Sequence, residues 1–346
     1  MTEHDPKLQQ DFTEQAGILL ADGTGHGELS DSCKRLEGIL RPIVAGDINQ
    51  SASLSGVYGA YFGDGSAYKI DDFGLAVQPI GAANCLGEDI RTRVFARGLK
   101  SAIERMMRIT DERPIRVLEA GSGPYSLVAM LVAPFFKEGD VEFTPLDVYR
   151  VSIDCAEKVA RVLGQINKFG GFVRDNATTY RIVGKKPHIV ISETMQTRLK
   201  VEPQVAITAN LGDQLAENGI FLPEAARIYA ELTDEHLAHT QSLGDIFVLT
   251  SRVAGDVEKA SGIICPESWR RLCHVRKTLN AGRPIKHGEK VSVKTEVRVF
   301  GDEILKPGQS SITESHHDHV FGSPSGALTF EFLMGAKEEQ SDVRIS

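Results

Sequence analysis

The 346-residue sequence has no apolar run approaching the roughly 18 residues that a membrane-spanning helix requires. Nothing in it reads as a membrane segment. It begins MTEHDPKLQQDF, polar and mixed in charge, and lacks the basic start and apolar stretch of a secretory leader; the expectation is a cytoplasmic protein. Cysteine is sparse. Cys33, Cys85, Cys155, Cys265 and Cys273 are scattered and odd in number, without the Cys-x-x-Cys spacing of a zinc site or a redox dithiol, and are expected to be reduced thiols. Positive charge is also short, 39 Lys and Arg against 47 Asp and Glu. The net charge of −8 argues against a general affinity for nucleic-acid phosphates and favours small molecules or cationic partners. There is no internal repeat and no low-complexity segment.

What is there is ordinary globular composition, 41% apolar and 25% charged, in a chain long enough for an extensive core. Residues 7–45 read as one or two helices broken by the glycine-rich DGTGHGE at 22–28. GTGHG resembles a phosphate loop only superficially, because no strand precedes it and no Gly-Lys-Ser/Thr follows. Residues 50–88, including GVYGAYFGDGSAY, read as irregular. Helical order returns at 89–109, where Phe95, Leu99, Ala102, Ile103 and Met106 form one apolar stripe. Strands and helices then alternate: RVLEA, a helix near 126–136, VEFTPLD, a helix near 150–163 ending at Gly164, FVRD, HIVIS, and a helix near 203–217 closed by Asn218 and Gly219. Such alternation predicts a parallel, doubly wound sheet. From about 224 onward the runs KVSVKTEVRVF and ALTFEFLM alternate with period two and predict antiparallel strands. The expected fold is α/β: a Rossmann-like parallel sheet over 85–223, an N-terminal helical segment over 1–84, and a β-rich domain over 224–346.

Two stretches carry chemistry. VLEAGSGPYSL places Glu119, Gly121 and Gly123 at the carboxyl end of a strand, where glycine permits a tight turn and close approach of a ligand to bare backbone. Tyr125 stands where a dinucleotide fingerprint has its third small residue. Together with Asp147 at the end of the next strand, the Glu-x-Gly-x-Gly pattern resembles the nucleoside site of class I S-adenosylmethionine (SAM) methyltransferases, in which a strand-end acid accepts the ribose hydroxyls. The second stretch is HIVISETMQTRLKVEPQ, with Glu193 directly after an apolar run and Glu202 nine residues on. Carboxylates beside a buried strand are costly unless a cation meets them. A guanidinium, with several N–H donors in a rigid plane, is gripped from two sides by paired carboxylates as an ammonium is not. A purely structural alternative has Glu193 pairing at a strand end and Glu202 beginning a helix before Pro203.

The Ser192-Glu193-Thr194-Met195 loop with its second acid at Glu202 resembles the double-glutamate loop of the protein arginine methyltransferases. CLGEDIRTRVF at 85–95 and LAENGIFLPEAARIY at 215–229 resemble that family's helix start and the segment after its fourth helix, so the likeness spans about 85–230. It implies SAM as cofactor, held by Arg91, Glu119, Gly121, Gly123, Asp147, Asp175 and Asn176, with Arg91 on the SAM carboxylate. It further implies Glu193, Met195 and Glu202 on the substrate guanidinium, Glu193 and Glu202 as the catalytic pair, no metal, and a homodimer. Thr194 stands where the family has tryptophan, Cys85 where it has methionine, and no Thr-His-Trp loop is found; the one tryptophan, Trp269, lies in CPESWRRL. These departures are compatible with a smaller, enclosed site. The chain therefore looks like a stand-alone enzyme of natural-product biosynthesis, of the kind in the streptozotocin pathway, methylating free L-arginine or a close guanidino acid. A peptide arginine and another small-molecule nucleophile remain open, as does a binding protein without turnover. ESHHDHVFG, with His316, His317, Asp318 and His319, is either a metal site or a polar loop or strand end, the latter being preferred.

Overall fold

A computed structural model of the chain describes residues 3–54, 68–69, 74–234, 240–251, 274–319, 322–334 and 344–346. Most of the GVYGAYFGDGSAY stretch, Trp269, Cys265 and Cys273 lie outside the described residues. Two helices open the fold, α1 (Pro6–Leu20) and α2 (His26–Leu54). Asp5 caps α1 by accepting the N–H groups of Lys7 and Leu8, and Pro6 suits the first turn. The glycine-rich break is shorter than the sequence implies, since His26, Gly27 and Glu28 already belong to α2. A two-stranded ribbon, β1 (Tyr68–Lys69) and β2 (Leu75–Ala76), and the short α3 (Pro79–Asn84) follow, so the region read as irregular is partly ordered.

The amphipathic helix α4 (Asp89–Ile109) buries the whole stripe from Phe95 to Met106. Beyond it comes the predicted alternation: β3 (Ile115–Ala120), α5 (Leu127–Val132), β4 (Val141–Asp147), α6 (Arg150–Val162), β5 (Val173–Arg174), β6 (Ile189–Ser192), α7 (Gln204–Gly212) and β7 (Ile220–Leu222). The five strands form one parallel sheet in the order β5-β4-β3-β6-β7. Alternate residues of β3 face opposite layers. Val117 joins Phe143 and Ile189 in the cluster with α4 and α6, while Leu118 and Ala120 pack with Val190, Ile207 and Leu211. α7 ends five residues before the position the sequence predicts. After it Ala216 N–H donates to Pro187 O, and the Gln214 side chain bridges Tyr180 O and Ile182 N–H, so the backbone finds partners in neighbouring loops rather than in a further helical turn. Asn218 does adopt a left-handed φ of 58°, but in the turn to β7.

The C-terminal part is antiparallel. β8 (Ala225–Thr233), β9 (Thr240–Leu249), β11 (Lys290–Phe300) and β12 (Glu303–Leu305) form one sheet, with β13 (His316–His319) on the first half of β11. β10 (His274–Asn280), β14 (Ala327–Leu333) and β15 (Arg344–Ile345) form another. On β14 burial falls on Leu328, Phe330 and Phe332, the period-two pattern expected of ALTFEFLM. The His316–His319 stretch is a strand, but its side chains, and with them the question of a metal site there, lie outside what is described. No helix among the described residues is long and apolar enough to cross a membrane.

α4 joins the two regions. A β-carbon on Gly98 would meet Val299 Cγ1 at 2.4 Å, and Val299 is β-branched and fully buried in β11. Alanine at this position gains up to about 1 kcal/mol of helix propensity, but overpacking costs about 1–3 kcal/mol. Gly98→Ala is therefore expected to lower stability by up to about 2 kcal/mol in urea unfolding, whereas a gain would show that α4 and β11 do not approach this closely.

Candidate functional site

The sheet order makes β3 the first strand laid down, with β4 on one side and β6 on the other. The crevice between β3 and β6, at their carboxyl ends, is the switch point at which open α/β sheets bind ligands. The register pairs Ala120 with both Leu146 and Ser192, so Gly121, Asp147 and Glu193 leave the sheet at one edge. There they line a cavity of about 390 Å³, within the usual range for small-molecule sites.

Gly121 (φ 75°) and Gly123 (φ 61°) are left-handed. At Gly121 there is a second reason for glycine: a β-carbon would lie 2.2 Å from Thr194 Cγ2, on the loop that carries the glutamates. Gly123 N–H donates to Asp147 Oδ2 at 2.9 Å, and Tyr149 N–H donates to Oδ1 at 2.8 Å. Burial pushes the Asp147 carboxyl up to about 6 against these hydrogen bonds. Glu119 is spent locally. It accepts the Ser126 hydroxyl and the N–H groups of Val128 (3.1 Å) and Ala129, capping α5, whose own N-cap Ser126 makes no side-chain cap. Burial raises Glu119 to about 7 even so. Asp175 is exposed at the cavity edge. Asn176 is not among the lining residues; its side-chain carbonyl accepts the N–H and hydroxyl of Thr178 in an Asx turn.

Arg91, Glu193, Met195 and Glu202 all line the cavity. Arg91, in the first turn of α4, is 8% exposed. It donates to Glu88 Oε1 at 3.0 Å and to Cys85 Sγ at 3.6 Å, and makes a close ion pair with Glu193 Oε2. Burial disfavours its charge, but Glu193 and its neighbours outweigh that and hold the guanidinium well above its ordinary value. The second oxygen of Glu193, Oε1, is buried and has no hydrogen-bond partner. Glu193 itself is raised by burial, with Arg91 pulling the other way. Glu202 is raised to about 8, first by burial and then by the charge of Glu193, against the pull of Arg91. The two glutamates that the sequence singles out therefore share one cavity and sense each other.

Residues that no local pattern reveals hold them there. Gln204, fully buried at the start of α7, accepts the N–H (3.0 Å) and hydroxyl (2.9 Å) of Thr194 through one oxygen. Thr194 follows Glu193 by one residue and Gln204 follows Glu202 by two, so this contact closes the loop across its base. The far end is tied to the β-rich part. Arg198 (φ 62°) gives its N–H to Thr295 Oγ at 2.8 Å, and the Thr197 hydroxyl donates to Glu314 O at 2.7 Å. Glu88 accepts from the Ser310 hydroxyl and from Ser311, so residues 311, 312 and 314 form a further wall of the cavity.

No family model and no curated protein matches this chain. Solved structures are similar to it, among them the following two. The Trypanosoma brucei PRMT1 enzyme–prozyme heterotetrameric complex with AdoHcy is 13% identical with a TM-score of 0.49, over 75% of this chain and 95% of that one. PRMT6 with SAH is 10% identical with a TM-score of 0.47, over 74% of this chain and 96% of that one.

The loop clasp is testable by itself. Gln204→Leu keeps the volume but strands the Thr194 N–H and hydroxyl, and a buried group left unsatisfied costs about 1–3 kcal/mol. Unfolding in urea is expected to show a loss of that size, and an unchanged midpoint would mean that the clasp does not hold the loop.

Proposed function

We propose that the chain is a SAM-dependent N-methyltransferase acting on the guanidinium of free L-arginine or a close guanidino acid, giving an N-omega-methylarginine and S-adenosylhomocysteine. The observation that carries this is the charge imbalance in the cavity. The partnerless Glu193 Oε1 and the raised Glu202 carboxyl together describe a place that lacks one more cation. A planar guanidinium donating to both acids satisfies that demand.

The cofactor side fits by its own residues. Gly121 and Gly123 line the cavity at the sheet edge, Asp147 at the adjoining strand end could accept a ribose hydroxyl beside its two backbone hydrogen bonds, and Arg91 would share its guanidinium between Glu193 and a cofactor carboxylate. The bound cofactor would supply an electrophilic methyl on a sulfonium. Glu193 and Glu202 fix the plane of the substrate cation, and such alignment lowers barriers by up to about 7–11 kcal/mol. They also draw positive charge toward the nitrogens they touch, leaving electron density on the remaining one. Glu202, with a pKa near neutrality, suits removal of the proton that the methylated nitrogen must lose. The enclosing wall from residues 311, 312 and 314 favours a free amino acid over a peptide lying across an open groove. Solution as a cytoplasmic homodimer is part of the same reading by resemblance.

Purified protein incubated with SAM and L-arginine is expected to give S-adenosylhomocysteine and a product heavier by a methyl group in mass spectrometry. Turnover of arginine-rich peptides but not of free arginine would replace the substrate, and no product from any guanidine would end the reading.

The pH dependence follows from Glu202. Its folded pKa lies above the usual carboxylate range, so the acid is mostly protonated at pH 7 and gains its charge as pH rises through about 8. With SAM saturating, kcat/KM for arginine should climb with pH across that range. Glu202→Gln should remove the climb and lower kcat/KM by about 100-fold or more, while a profile that falls with pH would contradict the assignment.

A further inference from the structure

The Arg91 guanidinium is held by two acids. Its Nη1 donates to Glu88 Oε1 at 3.0 Å, and its Nη2 pairs closely with Glu193 Oε2. These contacts are made largely out of water, where charges act on one another more strongly than at an open surface. Were Glu193 the only acid beside Arg91, the pair would be close to neutral and would give the cavity little reason to choose a cation. Glu88 changes that balance.

Glu88 is surrounded by donors suited to an anion. Besides Arg91, Oε1 accepts the Ser311 hydroxyl at 2.6 Å, while Oε2 accepts the Ser311 N–H at 2.9 Å and the Ser310 hydroxyl. An ionised carboxylate only accepts, so a full set of donors fits its charged form. The turn that supplies three of these donors is itself fixed by the Ser310 capping box, in which Ser310 N–H donates to Thr313 Oγ1. Glu193 is the opposite case. Its Oε2 leans on the guanidinium that Glu88 also holds, and its Oε1 is buried without a hydrogen-bond partner. Burial raises its carboxyl, Arg91 pulls it down, and the charge of Glu88 adds to the rise. Two acids thus divide one cation even before Glu202 is counted.

Resting on the guanidine-methylation reading, we infer that Glu88 is a positioning residue that sets the charge specificity of the site: anchored by the Ser310–Ser311 turn, it takes a share of the Arg91 cation, so that the clamp selects a cationic substrate over a neutral one of the same shape. Glu88 is not among the residues lining the cavity and acts through Arg91 and Glu193. The excess negative charge it contributes is met by a guanidinium and left unmet by a neutral group.

L-citrulline is the neutral counterpart of L-arginine, with a urea in place of the guanidinium and the same amino-acid end. Calorimetric titration of arginine into the protein saturated with S-adenosylhomocysteine, with citrulline measured by its displacement of arginine, gives the ratio of the two dissociation constants. The folded fraction enters the stoichiometry and not these constants. The wild-type protein should prefer arginine. Glu88→Gln keeps the size and an acceptor oxygen but removes the charge, and should lower the preference by about tenfold or more, chiefly by weakening arginine. Glu88→Ala, a second neutral variant, should do the same. Ser311→Ala removes a donor from Glu88 but leaves its charge in place, and should keep most of the preference. An unchanged preference in the neutral variants, equal weakening of both ligands, or a loss in Ser311→Ala as large as in Glu88→Gln would overturn the role of Glu88 and leave the guanidine reading standing. A wild-type protein that binds arginine no better than citrulline would overturn both.

Discussion

Three carboxyl groups, Glu88, Glu193 and Glu202, are gathered around the Arg91 guanidinium at the edge of a buried sheet. Like charges at about 4 Å repel by roughly 4 kcal/mol in the environment near a protein surface, so such a group is tolerable only if some of the charge is neutralised. Glu88 is held below the usual carboxylate range, against burial, first by the charge of Arg91 and then by hydrogen bonds from Ser310 and Ser311. Glu193 leans on Arg91. Glu202 feels the pull of Arg91 as well, but burial and the charge of Glu193 outweigh it and raise the carboxyl to about 8. This is the arrangement expected of a site whose ligand brings the missing charge.

Fold and site are linked by where the strands end. β3, β4 and β6 stop at one edge, and the loop after β6 returns to that edge only because Gly121 leaves room for Thr194 and Gln204 holds Thr194 in place. The antiparallel part contributes more than bulk. Thr295 and Glu314 seize the outer turn of the loop, and the Ser310 capping box locks onto Glu88. The cavity is therefore built by stretches of chain far apart in sequence, from residues 76–91 to 311–314.

Much of the fold was legible beforehand because its signals are local. The stripe on α4, the alternation from β3 to β7 and the period-two runs of β11 and β14 all follow from side-chain spacing. The acids at strand ends were legible for the same reason. What escaped is what depends on contacts across the chain. α7 stops early because Gln214 and Ala216 find partners outside the helix. The pairing of Arg91 with Glu193, at a separation of 102 residues, is of this kind. Asn176 spends its side chain on a turn, and Glu119 caps α5, roles that a motif does not distinguish from ligand contact. Gln204 has no signature until the loop it closes is folded back on Thr194.

The central claim, that the two loop acids receive a cation, has a direct thermodynamic signature. If a guanidinium binds between them, Glu202 must give up the proton it holds at pH 7. Calorimetric titration of L-arginine into the protein saturated with S-adenosylhomocysteine, repeated in buffers of different ionisation enthalpy, counts that proton. Release of roughly one proton per arginine bound, abolished in Glu202→Gln, is the predicted result. Binding without proton release, or release that persists in Glu202→Gln, would contradict the account.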